Sequence, residues 1–311
     1  MSKSELREIA LAIYERYQSD KSSLENLGEE IKLTKRILAK AFGLSRSGLY
    51  YQPTKPTADL EIKNQIERWH QLDDTLGSRK LAQLIGKSRS CVSRVMIKYN
   101  LYPRRKRPEY RYPGRADQVI DNRLLKLSRE TLEGYEILFS DIFQFRLEDG
   151  SWVYCCFVIR KKTRQILSFC YSWGMQAELV KESIKGININ RTDLVTDLAE
   201  TEIIFHSDQG KQYGAKITID VCLEYHFERS MSRAGTPTDN PIAERFVQTF
   251  KLAVVERYAY RAIGEFEEFA QKWLNFYNNQ RPHESLGQKS PNRFAQENDL
   301  KSVPYLSLNF V

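Results

Sequence analysis

Residues 136–146 read Glu136-Ile-Leu-Phe-Ser-Asp-Ile-Phe-Gln-Phe-Arg146, a run rich in β-branched and aromatic side chains. Two similar runs follow, at Trp152–Arg160 and Gln165–Ser172. The segments between them, Glu-Asp-Gly and Lys-Lys-Thr-Arg, suit tight turns. The pattern predicts an antiparallel meander of three strands.

Beyond the meander, helical and strand-like patterns alternate, which is typical of an α/β domain with a mixed sheet. The predicted elements are a helix at Gln176–Lys185, a strand at Thr201–His206, a helix at Ala215–Leu223, a strand at Tyr225–Ser230, and helices at Pro241–Tyr258 and Glu265–Tyr277.

The part of the chain before the meander is predicted to be all-α. The first ~33 residues have apolar side chains at helical spacing, and Thr34–Tyr51 has the rhythm of a helix–turn–helix, with Ser45 as cap of its second helix. Residues Gln52–Asp59 contain two prolines and are predicted to be a linker. A second helix–turn–helix is predicted from Ser78–Ile85 and Arg89–Tyr99.

Charge is unevenly distributed along the chain. Residues 1–116 hold 24 Lys and Arg against 13 Asp and Glu, a net +11, whereas residues 117–311 hold 24 against 27, a net −3. A basic front half indicates a nucleic-acid-binding module, and a solvated basic surface is the alternative. The five cysteines lack CxxC spacing, which argues against a disulfide framework and a zinc ribbon. No apolar run is long enough to span a membrane.

The candidate DNA contacts follow from this charge. In a helix–turn–helix the second helix enters the major groove, and a basic extended segment lies along phosphates. The candidates are Arg79, Lys80, Arg89, Ser93 and Arg94 in the second helix–turn–helix, and Arg104, Arg105, Lys106 and Arg107 in the basic run after it.

Three carboxylates have no obvious structural role. Asp141 shares its strand face with Ile137, Phe139, Phe143 and Phe145, where a charge is costly unless it is paired or bound to a cation. Asp208 follows a buried strand, at the end where α/β sheets place their sites, although helix capping is an alternative. Glu244 lies opposite the apolar stripe of its helix, and simple exposure is its alternative.

Two aspartates on neighbouring strands and a glutamate on a following helix can converge on one pocket. Thirty-five residues separate Asp208 from Glu244, and 66 separate Asp141 from Asp208. Three carboxylates at close range repel one another unless cations neutralise them. Mg²⁺ or Mn²⁺, which prefer oxygen ligands, are the natural partners.

Three long motifs carry a family resemblance. They are His206-Ser-Asp-Gln-Gly-Lys-Gln-Tyr, Ser230-Met-Ser-Arg-Ala-Gly-Thr-Pro-Thr-Asp-Asn-Pro-Ile-Ala-Glu-Arg-Phe and Phe276-Tyr-Asn-Asn-Gln-Arg-Pro-His-Glu-Ser-Leu-Gly-Gln-Lys-Ser-Pro. With the carboxylate spacing, they resemble the insertion sequence 3 family of bacterial transposases, within the DDE transposases and retroviral-type integrases.

The resemblance implies an RNase H-like catalytic core with a mixed five-stranded sheet, preceded by an all-α DNA-binding region. The predicted domains are an N-terminal helical region (1–55), a second helix–turn–helix domain (56–103), a basic linker (104–130), the catalytic core (131–262) and a C-terminal helical extension (263–311). By resemblance, Asp141, Asp208 and Glu244 coordinate two Mg²⁺ ions (or Mn²⁺) and catalyse DNA cleavage followed by direct strand transfer.

Further residues receive supporting roles. Lys251 is predicted to hold a phosphate on the face of Glu244 and Gln248. His206 and Gln209 flank the metal loop, and a structural hydrogen bond is the alternative for His206. Asn240 is predicted to cap its helix. Arg281 and His283 either contact DNA or brace the core.

The predicted partners are double-stranded DNA (terminal inverted repeats and target), further copies of the chain in a synaptic complex, and an upstream-frame helix–turn–helix protein. A cytoplasmic, nucleoid-associated location without membrane contact is expected. Two alternatives stay open: a domesticated DNA-binding repressor without transposition activity, and an RNase H-like nuclease without strand transfer.

Overall fold

The computed structural model describes residues 3–25, 33–45, 55–105, 119–190, 202–300, 302–303 and 306–311. The chain divides into two compact units, at residues 1–61 and 62–311. None of the helices in these described ranges is long and apolar enough to span a membrane.

The first unit contains helices α1 (Lys3–Glu25) and α2 (Lys35–Ala41). The Thr34 side chain accepts a hydrogen bond from the Ile37 N–H and so caps α2. The helix predicted after Ser45 lies outside the described residues. The predicted linker is wrong from residue 55 onward, because helix α3 (Lys55–Leu72) begins there. Pro56 fits because the first helical turn needs no N–H donor.

The second unit begins with the predicted pair of short helices. They are α4 (Ser78–Ile85) and α5 (Arg89–Lys98). Gly86 joins them with a left-handed backbone (φ 69°), a conformation that side-chain-bearing residues rarely adopt. The Ser88 side chain then accepts a hydrogen bond from the Cys91 N–H and starts α5.

A six-stranded mixed sheet forms the centre of the second unit, in the order β5-β4-β1-β2-β3-β6. Strands β1, β2 and β3 form the antiparallel meander, whereas the β1–β4, β4–β5 and β3–β6 pairs are parallel. The strands are β1 (Glu136–Arg146), β2 (Trp152–Arg160), β3 (Ile166–Ser172), β4 (Ile203–Ser207), β5 (Phe227–Met231) and β6 (Leu308–Phe310).

Helices surround the sheet in the described part of this unit. They are α6 (Arg123–Lys126), α7 (Arg129–Glu133), α8 (Ala177–Asn190), α9 (Lys211–Gly214), α10 (Lys216–Glu224), α11 (Pro241–Phe250), α12 (Ile263–Asn279) and α13 (Pro291–Glu297). The α/β class and the mixed sheet are confirmed. All five predicted strands are present, and β6 is a sixth that the sequence pattern did not predict.

Aromatic side chains attach helix α11 to the sheet. The ring centroids of Phe246 and Phe157 are 4.4 Å apart, and those of Phe250 and Phe143 are 5.4 Å apart. Such buried ring pairs add about 0.5–1.5 kcal/mol each beyond the area that they bury. The packing fixes α11, and therefore Glu244, over the central strands.

The helix predicted at Pro241–Tyr258 is wrong in its second half. The α-helix ends at Phe250, and a π-helical turn occupies Lys251–Val255. This turn buries Ala253 and Val254 completely. The extra residue in a π turn changes which side chains share a face, and such turns occur often at functional sites.

Candidate active site

Asp141 and Asp208 lie just beyond the end of the pairing between two adjacent parallel strands. The last pair is Phe139 of β1 with His206 of β4, and each aspartate lies two residues further along the chain, Asp141 still within β1 and Asp208 directly after β4. The parallel register therefore brings the two aspartates to the carboxyl end of β4, the kind of place where α/β folds have their sites.

Helix α11 carries Glu244, whose charge acts on Asp141. Asn240 and Pro241 start the helix, and the backbone N–H of Glu244 donates to the Asn240 carbonyl (3.2 Å). The opposite side of the helix, with Ala243, Phe246 and Phe250, is buried against the core. The helix therefore presents Glu244 away from its buried stripe, as the sequence pattern predicted.

The pKa of Asp141 responds to the charges of both other carboxyl groups. Burial, then the charge of Asp208 and the charge of Glu244, raise the pKa of Asp141 to about 8, against opposing effects of the Ile142 N–H and Lys251. Burial also raises the pKa of Asp208 and of Glu244. The site therefore concentrates negative charge in surroundings that stabilise it poorly.

The charges of Asp208 and Glu244 act on Asp141, but the three carboxylates do not surround a common position. Among the described residues, no three His, Cys, Asp or Glu side chains are gathered closely enough to enclose a metal ion. The donor chemistry nevertheless fits Mg²⁺ or Mn²⁺, since all three groups offer carboxylate oxygens and their mutual repulsion is what a cation would relieve.

A tight turn fixes the Asp208 carboxylate. The backbone N–H of Gly210 donates to Asp208 Oδ1 (2.9 Å), and the Ser207 hydroxyl donates to the Asp208 carbonyl (3.0 Å). A Cβ atom added at Gly210 would lie 3.0 Å from the same Oδ1 atom. Glycine therefore fits at position 210, because the Cβ atom of any other residue would displace the Asp208 carboxylate.

We expect Gly210→Ala to lower the rate of the chemical step about tenfold, because a displacement of a few tenths of an ångström at a reacting group is costly. Single-turnover cleavage of DNA measures this rate. The matched control is Gly264→Ala, where an added Cβ meets no atom within 4 Å. Equal rates for both variants would contradict this role of Gly210.

His206 has a structural role. Its ring is fully buried, with Nδ1 2.9 Å from Ser230 Oγ and Nε2 3.0 Å from Ser232 Oγ. Burial lowers the pKa of His206 to about 4, so the ring is neutral at pH 7. His206 therefore matches the alternative given for it above, a structural hydrogen bond. Gln209 is half-buried in the loop next to Asp208.

Asn240 occupies the N-cap position of α11, but the prediction that its side chain caps the helix is wrong. The Asn240 amide instead donates to the Ser140 carbonyl (3.2 Å), next to Asp141. The preceding turn is held by Arg233, whose guanidinium and backbone N–H contact Asp239 at 2.9–3.0 Å. The hydrogen bonds from Arg233 lower the pKa of Asp239 to about 2.

Lys251 lies in the π turn close to the carboxylates. Its Nζ is 5.5 Å from the ring centroid of Phe143, two residues beyond Asp141 on the same strand face, and its charge lowers the pKa of Asp141. Gln248 is exposed on the last turn of α11.

The candidate DNA contacts lie in varied surroundings. Arg89 and Arg94 on α5 are exposed, and Ser93 is half-buried. Arg79 pairs with the exposed Glu284. Lys80 is half-buried, and burial followed by the charge of Arg281 lowers its pKa to about 7.

The basic run after α5 is only partly described. The Arg104 guanidinium donates to the Glu256 carbonyl (2.8 Å), and Arg105 is exposed. Lys106 and Arg107 lie outside the described residues.

Arg281 braces the second unit, which was one of its two predicted roles. It is buried, and its Nε lies 2.7 Å from Asp73 Oδ2, in the segment that links α3 to α4. The His283 ring packs edge-on against Tyr277 at 4.6 Å, and its Nε2 atom is buried without a hydrogen-bond partner among the described residues.

Several residues that support the predicted functional residues were not among the candidates from the sequence. Ser140 and Tyr213 share a buried hydrogen bond of 2.8 Å beside Asp141. Tyr213 closes one of the quoted motifs, which was the signal that could have identified it. Asp73 gave no signal, because its partner is 208 residues away in sequence.

Two models with the description Integrase core domain match residues 133–237 and residues 225–291, which together span about half of the chain. This part of the chain is an integrase core domain. The chain resembles the transposases of the insertion sequence 3 family. It is therefore a DNA transposase with integration activity, a polynucleotidyl transferase of the DDE type.

The relatives cover most of this transposase. It is 25% identical over 258 residues to transposase InsK of IS150 from Escherichia coli strain K12, covering 78% of this chain and 87% of that protein. It is 22% identical to the IS904 transposase of Lactococcus lactis over 260 residues, covering 80% and 100%. The catalytic domain of the Mos1 mariner transposase is similar at 12% identity, covering 49% and 75%, with a TM-score of 0.42.

Proposed function

We propose that Asp141, Asp208 and Glu244 are the catalytic carboxylates of this transposase and that they act on the ends of an insertion sequence. The observation that carries the proposal is the parallel register of β1 and β4, since each aspartate lies two residues beyond the last pair of these strands, Phe139 with His206. The charge of Glu244 raises the pKa of Asp141, which supports Glu244 as the third catalytic carboxylate.

The same three side chains are the proposed ligands of two divalent cations, Mg²⁺ or Mn²⁺. Bound there, such ions supply Lewis-acid activation of the attacking oxygen and stabilisation of the leaving 3′ oxygen. The raised pKa values of the three carboxyl groups support the need for positive charge at this place.

The side chains of this transposase have defined tasks in the proposed reaction. The carboxylates would hold the cations that neutralise the scissile phosphodiester, which a water molecule attacks in the first step and a DNA 3′-OH attacks in the second. Lys251, on the π turn, offers a cation to a neighbouring phosphate oxygen. Both steps exchange one P–O bond for another and need no covalent enzyme intermediate.

Helix α5 is the proposed reader of the terminal inverted repeats. Arg89 and Arg94 are exposed in its first two turns, whereas Val92, Val95 and Met96 are buried and hold the helix in place. The N-terminal residues of such helices contact base edges in the major groove.

We expect Arg89→Ala to weaken binding to terminal-repeat DNA by about 1–3 kcal/mol if the side chain reads a base, or to reduce the salt slope by about one if it contacts a phosphate. Titrations at several salt concentrations measure both quantities. Lys126→Ala is the control, since it also removes one positive charge. Lys126 is the last residue of α6 and pairs with Asp121, which precedes that helix. An Arg89→Ala affinity and slope equal to those of this control would contradict the assignment.

The experiment that tests the proposed function incubates the protein with terminal inverted-repeat DNA and Mg²⁺ and resolves the products. Cleavage at the element end followed by strand transfer is expected. Cleavage without joining would instead support the nuclease alternative. Tight binding of the terminal DNA without any chemistry across Mg²⁺ and Mn²⁺ would support a domesticated repressor.

The remaining partners belong to the same proposal. An insertion sequence has two ends to be cleaved, and by analogy with the resembling family we propose a homo-oligomeric synaptic complex on terminal and target DNA. An upstream-frame helix–turn–helix protein is a further proposed partner. The proposed location is the bacterial cytoplasm, on the nucleoid.

A further inference from the structure

Ser140 lies at the centre of a buried hydrogen-bonded group. It is fully buried on β1, and its hydroxyl shares a hydrogen bond of 2.8 Å with the hydroxyl of Tyr213. Tyr213 is itself only 1% exposed and belongs to α9, the short helix after the Asp208 turn. One bond therefore links the strand of the first aspartate to the segment that follows the second.

The backbone of the same serine makes the second link. The β1–β4 pairing ends at Phe139, one residue before Ser140. The side-chain amide of Asn240 donates to the Ser140 carbonyl (3.2 Å) from the start of α11. A buried carbonyl needs a donor, and the asparagine supplies one from the helix that carries Glu244.

Each of these three residues is close in sequence to one carboxylate. Tyr213 is tied to the Asp208 turn, since its N–H donates to the Gly210 carbonyl (3.0 Å). The pairs are Ser140 with Asp141, Tyr213 with Asp208, and Asn240 with Glu244.

We infer that Ser140, Tyr213 and Asn240 are positioning residues that join the three segments carrying the carboxylates, so that the side chains can close together on divalent cations. This role rests on the proposed function of the carboxylates. The three residues act through the elements that they join. Loss of one link loosens one carboxylate relative to the others, and the affinity for cations falls before the fold is lost.

The surroundings of Asn240 argue for positioning rather than for stability alone. Its side chain makes no capping hydrogen bond, and its Oδ1 atom is buried without a partner among the described residues. An unpaired buried oxygen is destabilising. The unpaired oxygen therefore offsets part of the stability that the hydrogen bond to the Ser140 carbonyl provides, and stability alone does not account for an asparagine here.

The test compares two buried serines on the same sheet. Ser140→Ala removes the bond to Tyr213, and Ser168→Ala on β3 removes an equally buried hydroxyl that contacts Ser183 instead. The loss of the free Mn²⁺ electron paramagnetic resonance signal measures cation binding to each full-length protein without DNA. Thermal unfolding measures stability in parallel.

We expect Ser140→Ala to raise the half-saturating Mn²⁺ concentration about tenfold, as loss of supporting residues around metal ligands does, while Ser168→Ala matches the wild type. Tyr213→Phe should produce the same shift, and the Ser140→Ala/Tyr213→Phe double variant no larger one, because both break one bond. Equal Mn²⁺ affinity in both serine variants, with the wild type binding normally, overturns the positioning role alone. A wild type that binds no Mn²⁺ overturns the proposed cation site, and the positioning role with it.

Discussion

Asp208→Asn is expected to abolish DNA cleavage and strand transfer, with a loss of at least about a thousandfold in the single-turnover rate, or ~4 kcal/mol in the barrier. The substitution keeps the size of the side chain and one oxygen but removes the charge. The Gly210 N–H can still donate to that oxygen, as it does to Oδ1 of the aspartate (2.9 Å), so the turn is retained.

The same variant should still bind terminal-repeat DNA with nearly unchanged affinity, because the proposed DNA-reading helix lies elsewhere in the unit. Asp220→Asn is a suitable control, since Asp220 is exposed on α10 and pairs with Lys216. Substantial cleavage by Asp208→Asn in Mg²⁺ would remove Asp208 from the catalytic set.

The second large effect concerns stability. Arg281→Ala is expected to lower the free energy of unfolding of the second unit by about 3–5 kcal/mol, because it leaves the Asp73 carboxylate buried without its partner. The Asp73 side chain is fully buried, and that of Arg281 is 5% exposed. Denaturant titration followed by fluorescence measures the change.

A double replacement separates the ion pair from the volume that it fills. Asp73→Leu with Arg281→Met should recover much of the loss, since apolar residues of similar size often replace a buried pair without cost. A DNA contact as the main role of Arg281 would instead leave stability unchanged and weaken DNA binding.

Lowering the pH should remove the stabilisation that the Asp73–Arg281 ion pair provides. Burial alone raises the pKa of Asp73, but the charge of Arg281 and the Thr75 hydrogen bonds outweigh it and hold the pKa below its ordinary value. For a depressed pKa, the stabilisation is complete above the unfolded value of about 3.9 and is lost as the pH falls through the folded value.

The sequence predicted the elements whose pattern is local. Strands β1 and β2 have the predicted bounds, because continuous β-branched and aromatic runs between turn residues have few alternatives. Helices α4 and α5 were predicted, and the Gly86 turn and the Ser88 cap that separate them act within a few residues.

Features set by tertiary packing escaped prediction. The π turn at Lys251–Val255 depends on how Ala253 and Val254 enter the core, which no periodicity records. Strand β6 has three residues and needs β3 beside it. At the site, residue types and spacing predicted the carboxylates, whereas the Ser140 contacts exist only after three distant segments meet.

Crystallography with Mn²⁺ would locate the cations, because the anomalous signal of manganese identifies the ion. Anomalous peaks are expected next to the carboxyl end of β4, contacted by carboxylate oxygens of Asp141, Asp208 and Glu244. Manganese bound elsewhere, or peaks that only one of the three side chains touches at saturating Mn²⁺, would contradict the proposed cation site.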